Sequence, residues 1–266
     1  MPIRYERKGS IATFTIDNGK VNPMTPLMHK ELFLALKEFL ADDSVHCGIL
    51  TGAGDRAFCA GDDIKTPYSS ESSPKDALYD HLWPHRGEGD TPDNFAWSRD
   101  VLMLERFKPI VAAVNGWCLG QGMIYLLNLT DIRVASTTAS FGFPEIAYGM
   151  GGAGGTTRLA YQLPHAVAME MLLTGDPMPA AEALRLNLVN RVVEPQAVMA
   201  EAMRIAERIA SHPPAAVRIE MEAYARGRDL SRVEAMSFSG HLYRLQRLGL
   251  KQDGALPKAF LYESKD

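Results

Sequence analysis

The sequence predicts an α/β fold followed by a helical C-terminal region. Short apolar runs that end in glycine-bearing turns alternate with helical patterns, as expected for a sheet that is buried on both faces. From residue 196 onward the pattern becomes almost wholly helical. We therefore predict a core over residues 1–195 and a helical region over residues 196–266.

The N-terminal part predicts two strands and one helix. Residues Ser10–Asp17 alternate with a period of two and are rich in β-branched residues, and Ile3–Arg7 is the expected hairpin partner. Thr25 and Pro26 predict a helix start, with Thr25 as N-cap and proline at the first helical position. One stripe of 3.6-residue period follows, formed by Met28, Leu32, Ala35, Leu36, Phe39 and Leu40.

Further along the chain, short apolar runs continue the sheet: Gly48–Leu50, Ile110–Val114 and Ile132–Ala135. The segment Thr66–Asp93 is rich in Ser, Pro, Gly and charge, which predicts a long surface loop or a substrate-facing lid. The last helices are expected over Ala197–Ala210, Pro214–Arg226 and Leu230–Leu248.

Composition narrows the function classes. A length of 266 residues with 46% hydrophobic content supports one large domain, or one domain with a smaller appendage. The net charge of −4 and the scattered basic residues argue against a nucleic-acid partner. No segment approaches the roughly 20 apolar residues of a membrane span and the N-terminus lacks a signal-peptide pattern, so we expect no membrane partner and a cytoplasmic location.

Cysteine and histidine spacing predicts no metal site. The three cysteines are too few and too irregularly spaced for a disulfide framework or a zinc cluster. Six histidines likewise show no ligand spacing: His46, His81, His85, His165, His212 and His241.

Three glycine-rich stretches are candidate ligand sites. The pattern G-x-G-x-x-G at residues 149–154 lacks the strand and helix of a dinucleotide fold, so nucleotide binding is not favoured. The stretches Asn115–Gly122 and Phe58–Ile64 each follow a predicted strand. Two such turns side by side would direct two backbone N–H groups at one point, which is the design of an oxyanion hole.

Five stretches form an ordered set: Ile49–Lys65, Lys108–Gly122, Ala139–Gly149, Ala153–Leu159 and Met169–Pro195. Together they resemble the crotonase superfamily, the enoyl-CoA hydratase/isomerase family, over nearly the whole chain. The resemblance implies a spiral of repeated ββα units with a helical C-terminal subdomain for trimerisation or as a lid. It also implies homotrimers or dimers of trimers and an acyl-CoA thioester substrate, with coenzyme A as part of the substrate and no tightly bound cofactor.

The resemblance carries over to individual residues. The oxyanion donors would be the N–H groups of Asp62 and Gln121, or of Gly122 if the register slips by one. Glu145, in the FGFPE motif, matches the second of two glutamates that hold the attacking water and shuttle its proton in typical hydratases.

The first of these glutamates has no counterpart. Its position falls on Ile124 when counted from Gly120, and on Tyr125 when counted back from Asp131. Asp62 is one candidate replacement, although its carboxylate would repel an enolate unless it is protonated or turned outward. Tyr125 is the other, through a phenol that donates a hydrogen bond, and the alternative is a core tyrosine.

For coenzyme A the resemblance points to Arg56 and Lys65, which flank a turn containing Ala60 and Ile64, and to Phe260 beside the adenine. Hydration of a 2-enoyl-CoA is the first expectation for the reaction. The single glutamate also suits an enoyl-CoA isomerase or a hydroxycinnamoyl-CoA hydratase-lyase. A CoA-ester-binding protein without catalysis is the alternative of another class.

Overall fold

A computed structural model describes residues 2–65, 96–151 and 156–252, together with residues 73, 75, 78 and 82. The strands are β1 (Ile3–Lys8), β2 (Ile11–Ile16), β3 (Cys47–Gly52), β4 (Ala57–Cys59), β5 (Ile110–Val114), β6 (Trp117–Leu119), β7 (Ile132–Ser136), β8 (Ser140–Gly142), β9 (Met178–Pro179) and β10 (Arg191–Val193). The helices are α1 (Pro26–Ala41), α2 (Ala96–Met103), α3 (Gln121–Leu129), α4 (His165–Thr174), α5 (Ala180–Arg185), α6 (Val198–Ala210), α7 (Pro214–Gly227) and α8 (Arg232–Gln252). Short 3-10 segments cover Pro144–Tyr148, Thr156–Tyr161 and Pro195–Ala197.

The strands form two sheets. The larger sheet has the order β1-β2-β3-β5-β7-β10, and the smaller one has the order β4-β6-β8-β9. In the larger sheet β1 and β2 form an antiparallel hairpin, and the other pairs are parallel. This arrangement confirms the predicted hairpin and the three predicted strands that follow it.

A repeated unit links the two sheets. Strands β3, β5 and β7 of the larger sheet are each followed by a short strand of the smaller sheet, namely β4, β6 and β8, and a helical segment follows β6 and β8. Glycine at the turns allows the close approach that this requires, because a Cβ on Gly52 would lie 2.4 Å from the Ala57 carbonyl oxygen. A Cβ on Gly116 would lie 2.1 Å from the carbonyl oxygen of Arg56. The predicted α/β fold with a helical C-terminal region is confirmed.

The central strands of the larger sheet are buried on both faces. Along β5, Ile110, Ala112 and Val114 belong to one hydrophobic cluster, while Val111 and Ala113 belong to the other. The second cluster is closed by apolar residues of α6, namely Val198, Ala202, Ile205 and Ala206. Burial on both sides explains why these strands are continuous apolar runs in the sequence.

The chain divides into two compact units, Met1–Ala210 and Ser211–Asp266. The first unit includes α6, which packs against β3, β5 and β7. The predicted division after residue 195 stays a prediction. In the second unit α7 and α8 pack on each other. Several of their large apolar side chains are exposed, among them Tyr224, Val233, Met236 and Tyr243.

Helix α1 begins as predicted, with Pro26 at its first position. Thr25 is the N-cap, as predicted, although its side chain makes no capping hydrogen bond. The Thr25 carbonyl instead accepts from the N–H groups of Met28 and His29, at 3.0 and 3.3 Å. Most of the predicted loop Thr66–Asp93 lies outside the described residues.

Candidate active site

Two glycine turns meet at the edge of the smaller sheet. Strands β4 and β6 are parallel neighbours, with Cys59 opposite Cys118, so both chains leave the sheet at the same edge. Gly61 and Gly120 follow with φ angles of +109° and +54°, a region that L side chains rarely adopt. A Cβ on Gly120 would lie 3.3 Å from the Gly61 Cα, so the two turns are in direct contact.

Each turn presents one unused backbone donor. Among the described residues, the N–H groups of Asp62 and Gln121 donate to no acceptor, whereas those of Ala60, Asp63 and Gly120 donate to backbone carbonyls. Gln121 is the first residue of α3, where the helix leaves N–H groups free. Because the two turns are in contact, both free N–H groups can donate to a single acceptor atom placed between them.

Gln121 fits this arrangement better than Gly122. A Cβ on Gly61 would lie 3.8 Å from the backbone nitrogen of Gln121, which places that nitrogen beside the other turn. Gly122 lies against β4 instead, because a Cβ there would be 2.4 Å from the carbonyl oxygen of Cys59. The Gln121 side chain is buried, and its Nε2 has no partner within the described parts of the chain.

The 3-10 segment after β8 places Glu145 beside the contact between the Gly61 and Gly120 turns. Its Oε1 lies only 2.8 Å from where a Cβ on Gly120 would stand, so the absence of that Cβ makes room for the carboxyl. The side chain is half-buried, and its Oε2 is buried without a hydrogen-bond partner among the described residues. Burial raises the pKa of Glu145 above its ordinary value, and the negative charge of Asp62 raises it further, while its own backbone N–H lowers it.

Asp62 has a different environment. Its side chain is 40% exposed, and its Oδ1 lies 3.2 Å from Nε2 of His29, although the approach is not aligned as a hydrogen bond. His29 is 1% exposed, and its Nδ1 lies 2.6 Å from the hydroxyl of Tyr125. Tyr125 is therefore a buried tyrosine with a specific polar partner, and its catalytic role stays a prediction.

The sequence left two positions, 124 and 125, for the missing acid, and the structure shows which of them faces the Gly120 turn. The N–H of Ile124 donates to the carbonyl of Gly120, at 3.0 Å, so Ile124 stands one helical turn after Gly120. Residues four apart share a helix face, and side chains lean toward the helix N-terminus. Position 124 therefore faces the Gly120 turn beside Glu145, and its occupant is a buried apolar side chain.

The predicted coenzyme A contacts are spread along one turn. Arg56 stacks over the exposed ring of Trp117, with its guanidinium carbon 4.9 Å from the ring centroid. Ile64 is 69% exposed, and Lys65 is exposed, with its N–H bonded to Oδ1 of Asp63. The N–H of Ala60 is bonded to the carbonyl of Val21. These assignments stay predictions, and Phe260 lies outside the described residues.

The thiols contribute no nucleophile to this site. Cys47, Cys59 and Cys118 are buried and unbridged. Burial raises the pKa of Cys47 and of Cys59 to about 12, and that of Cys118 well above its ordinary value. Within the described ranges, no group of three or more His, Cys, Asp or Glu side chains is arranged to hold a metal ion. The same ranges contain no helix that is long and apolar enough to cross a membrane.

Comparison with known proteins agrees with this geometry. The family model described as enoyl-CoA hydratase/isomerase matches residues 6–246. The chain belongs to the enoyl-CoA hydratase/isomerase family. It is 34% identical over 249 residues to an (E)-benzylidenesuccinyl-CoA hydratase of Thauera aromatica, covering 93% of this chain and 91% of the relative. A short-chain-enoyl-CoA hydratase of Clostridium acetobutylicum is 35% identical over 240 residues, covering 90% and 86%.

Among solved structures, one that is similar to this chain is an enoyl-CoA hydratase from Bacillus anthracis. Its TM-score to this chain is 0.78 at 27% identity, and the match covers 97% of this chain and 98% of that one. The crotonase-type fold is thereby shown over nearly the whole length.

His29 is the residue of this site that sequence reasoning missed. It lies next to Met28 within the apolar pattern of α1, and nothing in its spacing distinguishes it from a core residue. The available signal was a polar residue at a position whose neighbours predicted burial, since buried polar side chains require partners.

Proposed function

We propose that this chain is an enzyme that adds water to the double bond of a 2-enoyl-CoA thioester. The observation that carries the proposal is the pair of unused N–H groups, on Asp62 and Gln121, beside the carboxyl of Glu145. Both family relatives named above are called hydratases of CoA esters. The sequence expectation of an acyl-CoA hydratase thus agrees with the geometry.

The two N–H groups would act on the thioester oxygen. Addition of water at the β-carbon places negative charge on that oxygen in an enolate-like transition state, and two preorganised donors stabilise it. Loss of one such donor typically costs about 3 kcal/mol of transition-state stabilisation. Gln121 is the second donor in this proposal, rather than Gly122, because its nitrogen lies beside the Gly61 turn.

Glu145 would supply the proton for the α-carbon. A general acid needs a pKa near the working pH, and burial together with the charge of Asp62 raises the pKa of Glu145 in that direction. Its Oε2 is buried without a hydrogen-bond partner among the described residues, so no described donor competes for that oxygen.

Coenzyme A is proposed to bind as part of the substrate, along the turn from Arg56 to Lys65. Arg56 is pre-positioned by its stacking on Trp117, and Lys65 is exposed. We propose no tightly bound cofactor, a cytoplasmic location, and assembly as a homotrimer or a dimer of trimers. Light scattering of the purified protein tests the assembly, and mass spectrometry of the denatured protein tests for a retained cofactor.

The deciding experiment is mass spectrometry of CoA esters incubated with the protein and with Glu145→Gln. The panel contains short-chain 2-enoyl, 3-enoyl, hydroxycinnamoyl and benzylidenesuccinyl esters. We expect a gain of one water on at least one conjugated ester, and a loss of about 10²- to 10⁴-fold in rate with Glu145→Gln.

Other outcomes separate the rival functions. An unchanged mass with a moved double bond indicates an isomerase, and aldehyde release indicates a hydratase-lyase. Measurable binding of every ester without turnover, unaltered by Glu145→Gln, indicates a non-catalytic CoA-ester-binding protein. Each of these results would overturn hydration as the reaction.

A further inference from the structure

The polar side chains of His29 and Tyr125 lie directly behind the Asp62 turn, and they have no role in the mechanism described above. His29 sits on α1 with 1% exposure, in a helix whose other buried residues are almost all apolar. Its ring meets that of Tyr125 edge to face, with centroids 5.8 Å apart. The short contact between Nδ1 and the Tyr125 hydroxyl uses one ring nitrogen, and the other nitrogen faces Asp62. The three residues form a continuous path from the core to the cleft.

The backbone holds this path in register. The N–H of Met24 donates to the carbonyl of Gly61, at 2.9 Å, and the N–H of Asp63 donates to the carbonyl of Met24, at 2.8 Å. Met24 leads directly into α1, so the segment that carries the Asp62 turn is tied to the start of the helix that carries His29. These backbone hydrogen bonds therefore fix the distance between the segments that carry the side chains of His29 and Asp62.

The charge of Asp62 decides where the imidazole proton lies. A neutral imidazole has one donor nitrogen and one acceptor nitrogen. A carboxylate next to Nε2 favours the proton on Nε2, which leaves Nδ1 as an acceptor for the O–H of Tyr125. The Tyr125 hydroxyl can donate to Nδ1, so its contact is compatible with the tautomer that donates toward Asp62. In a site without substrate such contacts are often long or misaligned, as the 3.2 Å contact is here.

We propose that Asp62 is the second acid–base carboxylate of the site, and that His29 and Tyr125 are positioning residues that hold it aimed at the water. This inference rests on the proposed hydration. Position 124, where an acid would otherwise face the Gly120 turn, carries an apolar side chain. The turn that carries Asp62 contacts the Gly120 turn, and the Glu145 carboxyl lies against Gly120, so Asp62 brings a second carboxylate to the same edge of the sheet.

The proton transfers balance with one proton shared by the two carboxyls. Glu145 begins protonated and Asp62 begins ionised. Asp62 removes a proton from water as the water oxygen bonds to the β-carbon, and Glu145 delivers its proton to the α-carbon. Asp62 is then neutral when negative charge develops on the thioester oxygen, which removes the repulsion expected from a carboxylate at this place. After product release, solvent water carries the proton from Asp62 to Glu145.

The test is a double-mutant cycle on the ester that the wild-type protein hydrates fastest. Asp62→Asn keeps the backbone N–H of the oxyanion hole and removes the base, so we expect kcat to fall about 10²-fold with little change in KM. His29→Leu should lower kcat about tenfold on its own and cause no further loss in the Asp62→Asn background, because it acts only through Asp62. His29→Gln, which retains an N–H donor, should recover part of the loss.

A second pair of variants keeps the test decisive if His29→Leu does not fold. Tyr125→Phe removes only the hydroxyl and should lower kcat several-fold. Tyr5→Phe is the matched control, because the Tyr5 hydroxyl is buried in β1 without a partner among the described residues. Tyr5→Phe should leave kcat unchanged.

Several results would overturn the inference. Wild-type kcat in Asp62→Asn contradicts the role of Asp62, and losses that multiply in the double variant contradict a role of His29 through Asp62. A lowered melting temperature with unchanged kcat in Tyr125→Phe or His29→Leu would show that these two residues contribute only to stability. If the wild-type protein hydrates no ester, the proposed function fails as well. If it hydrates an ester and only Glu145→Gln impairs it, this inference alone fails.

Discussion

The two carboxylates of the site occupy adjacent turns and have opposite surroundings. Glu145 follows β8, lies half-buried against the bare backbone of Gly120, and has a buried oxygen without a partner in the described chain. Asp62 follows β4, is exposed, and has the imidazole of His29 behind it. Burial raises the pKa of Glu145, with the charge of Asp62 as a second cause.

The difference shows how one type of side chain obtains two roles. Carboxyl groups whose environments separate their proton affinities are the usual basis for distinct acid and base functions. Here packing sets the environment of Glu145, because glycine at position 120 lacks the Cβ that would keep the Glu145 carboxyl out of its half-buried position. The predictions below alter each side of this comparison, from the largest expected effect to the smallest.

Gly120→Ala should cause the largest loss of hydration activity, because it both displaces the Glu145 carboxyl and strains the backbone of the turn. The new Cβ would stand 2.8 Å from Oε1 of Glu145, at a φ of +54°. We expect kcat/KM for hydration to fall about 10²- to 10³-fold, since both the acid and the Gln121 donor move. Steady-state kinetics on the best ester measures this loss.

Gly9→Ala is the matched control for that variant. Gly9 has a φ of +59°, and a Cβ there would meet nothing within 4 Å. It should therefore place a side chain at a similar positive φ without a clash and leave kcat/KM unchanged. Equal losses of activity in the two variants would show that strain alone, and not the position of Glu145, explains the effect.

Ile124→Glu should restore activity to Asp62→Asn, by about tenfold in kcat. The new carboxylate would stand on the face of α3 that meets the Gly120 turn, one helical turn after it. It would supply the base that Asp62→Asn lacks. Ile124→Gln in the same background is the control and should restore nothing. Recovery with both variants, or with neither, would contradict the idea that position 124 and Asp62 serve the same water.

Glu145→Gln should raise thermal stability at neutral pH while it lowers activity. A carboxyl whose pKa is raised in the folded state stabilises the protein below its ordinary pKa of 4.5, and that contribution is lost as the pH rises through the folded value. The amide that replaces the carboxyl carries no charge and avoids this loss. We expect a melting temperature higher by about 2 to 4 °C at pH 8, converging with wild type toward pH 4.

Scanning calorimetry across pH 4 to 8 measures this difference. Glu170→Gln, at an exposed carboxylate of α4, is the control and should leave the melting temperature unchanged at every pH. A Glu145→Gln protein that is no more stable than wild type at pH 8 would show that burial of this carboxyl carries no cost.

Much of the fold and part of the site follow from local sequence. The alternation of Ser10–Asp17, the proline at the start of α1 and the apolar runs of β3, β5 and β7 each predict their own element, because the signal lies within a few residues. The two glycine turns were also predicted, since a turn with positive φ requires glycine within a short motif. Glu145 was predicted from the family resemblance of the FGFPE motif. The role of α6 was not predicted, because its apolar face does not say which surface it covers.

The sequence by itself determined the α/β core, the two glycine turns and the carboxyl of Glu145. Only the tertiary structure decided which side chains surround Asp62. His29 and Tyr125 are 96 positions apart, and their contact depends on how α1 and α3 pack around the Asp62 turn. Local patterns report backbone preference and burial over one element, whereas the protonation of a side chain depends on which distant groups packing brings within a few ångströms.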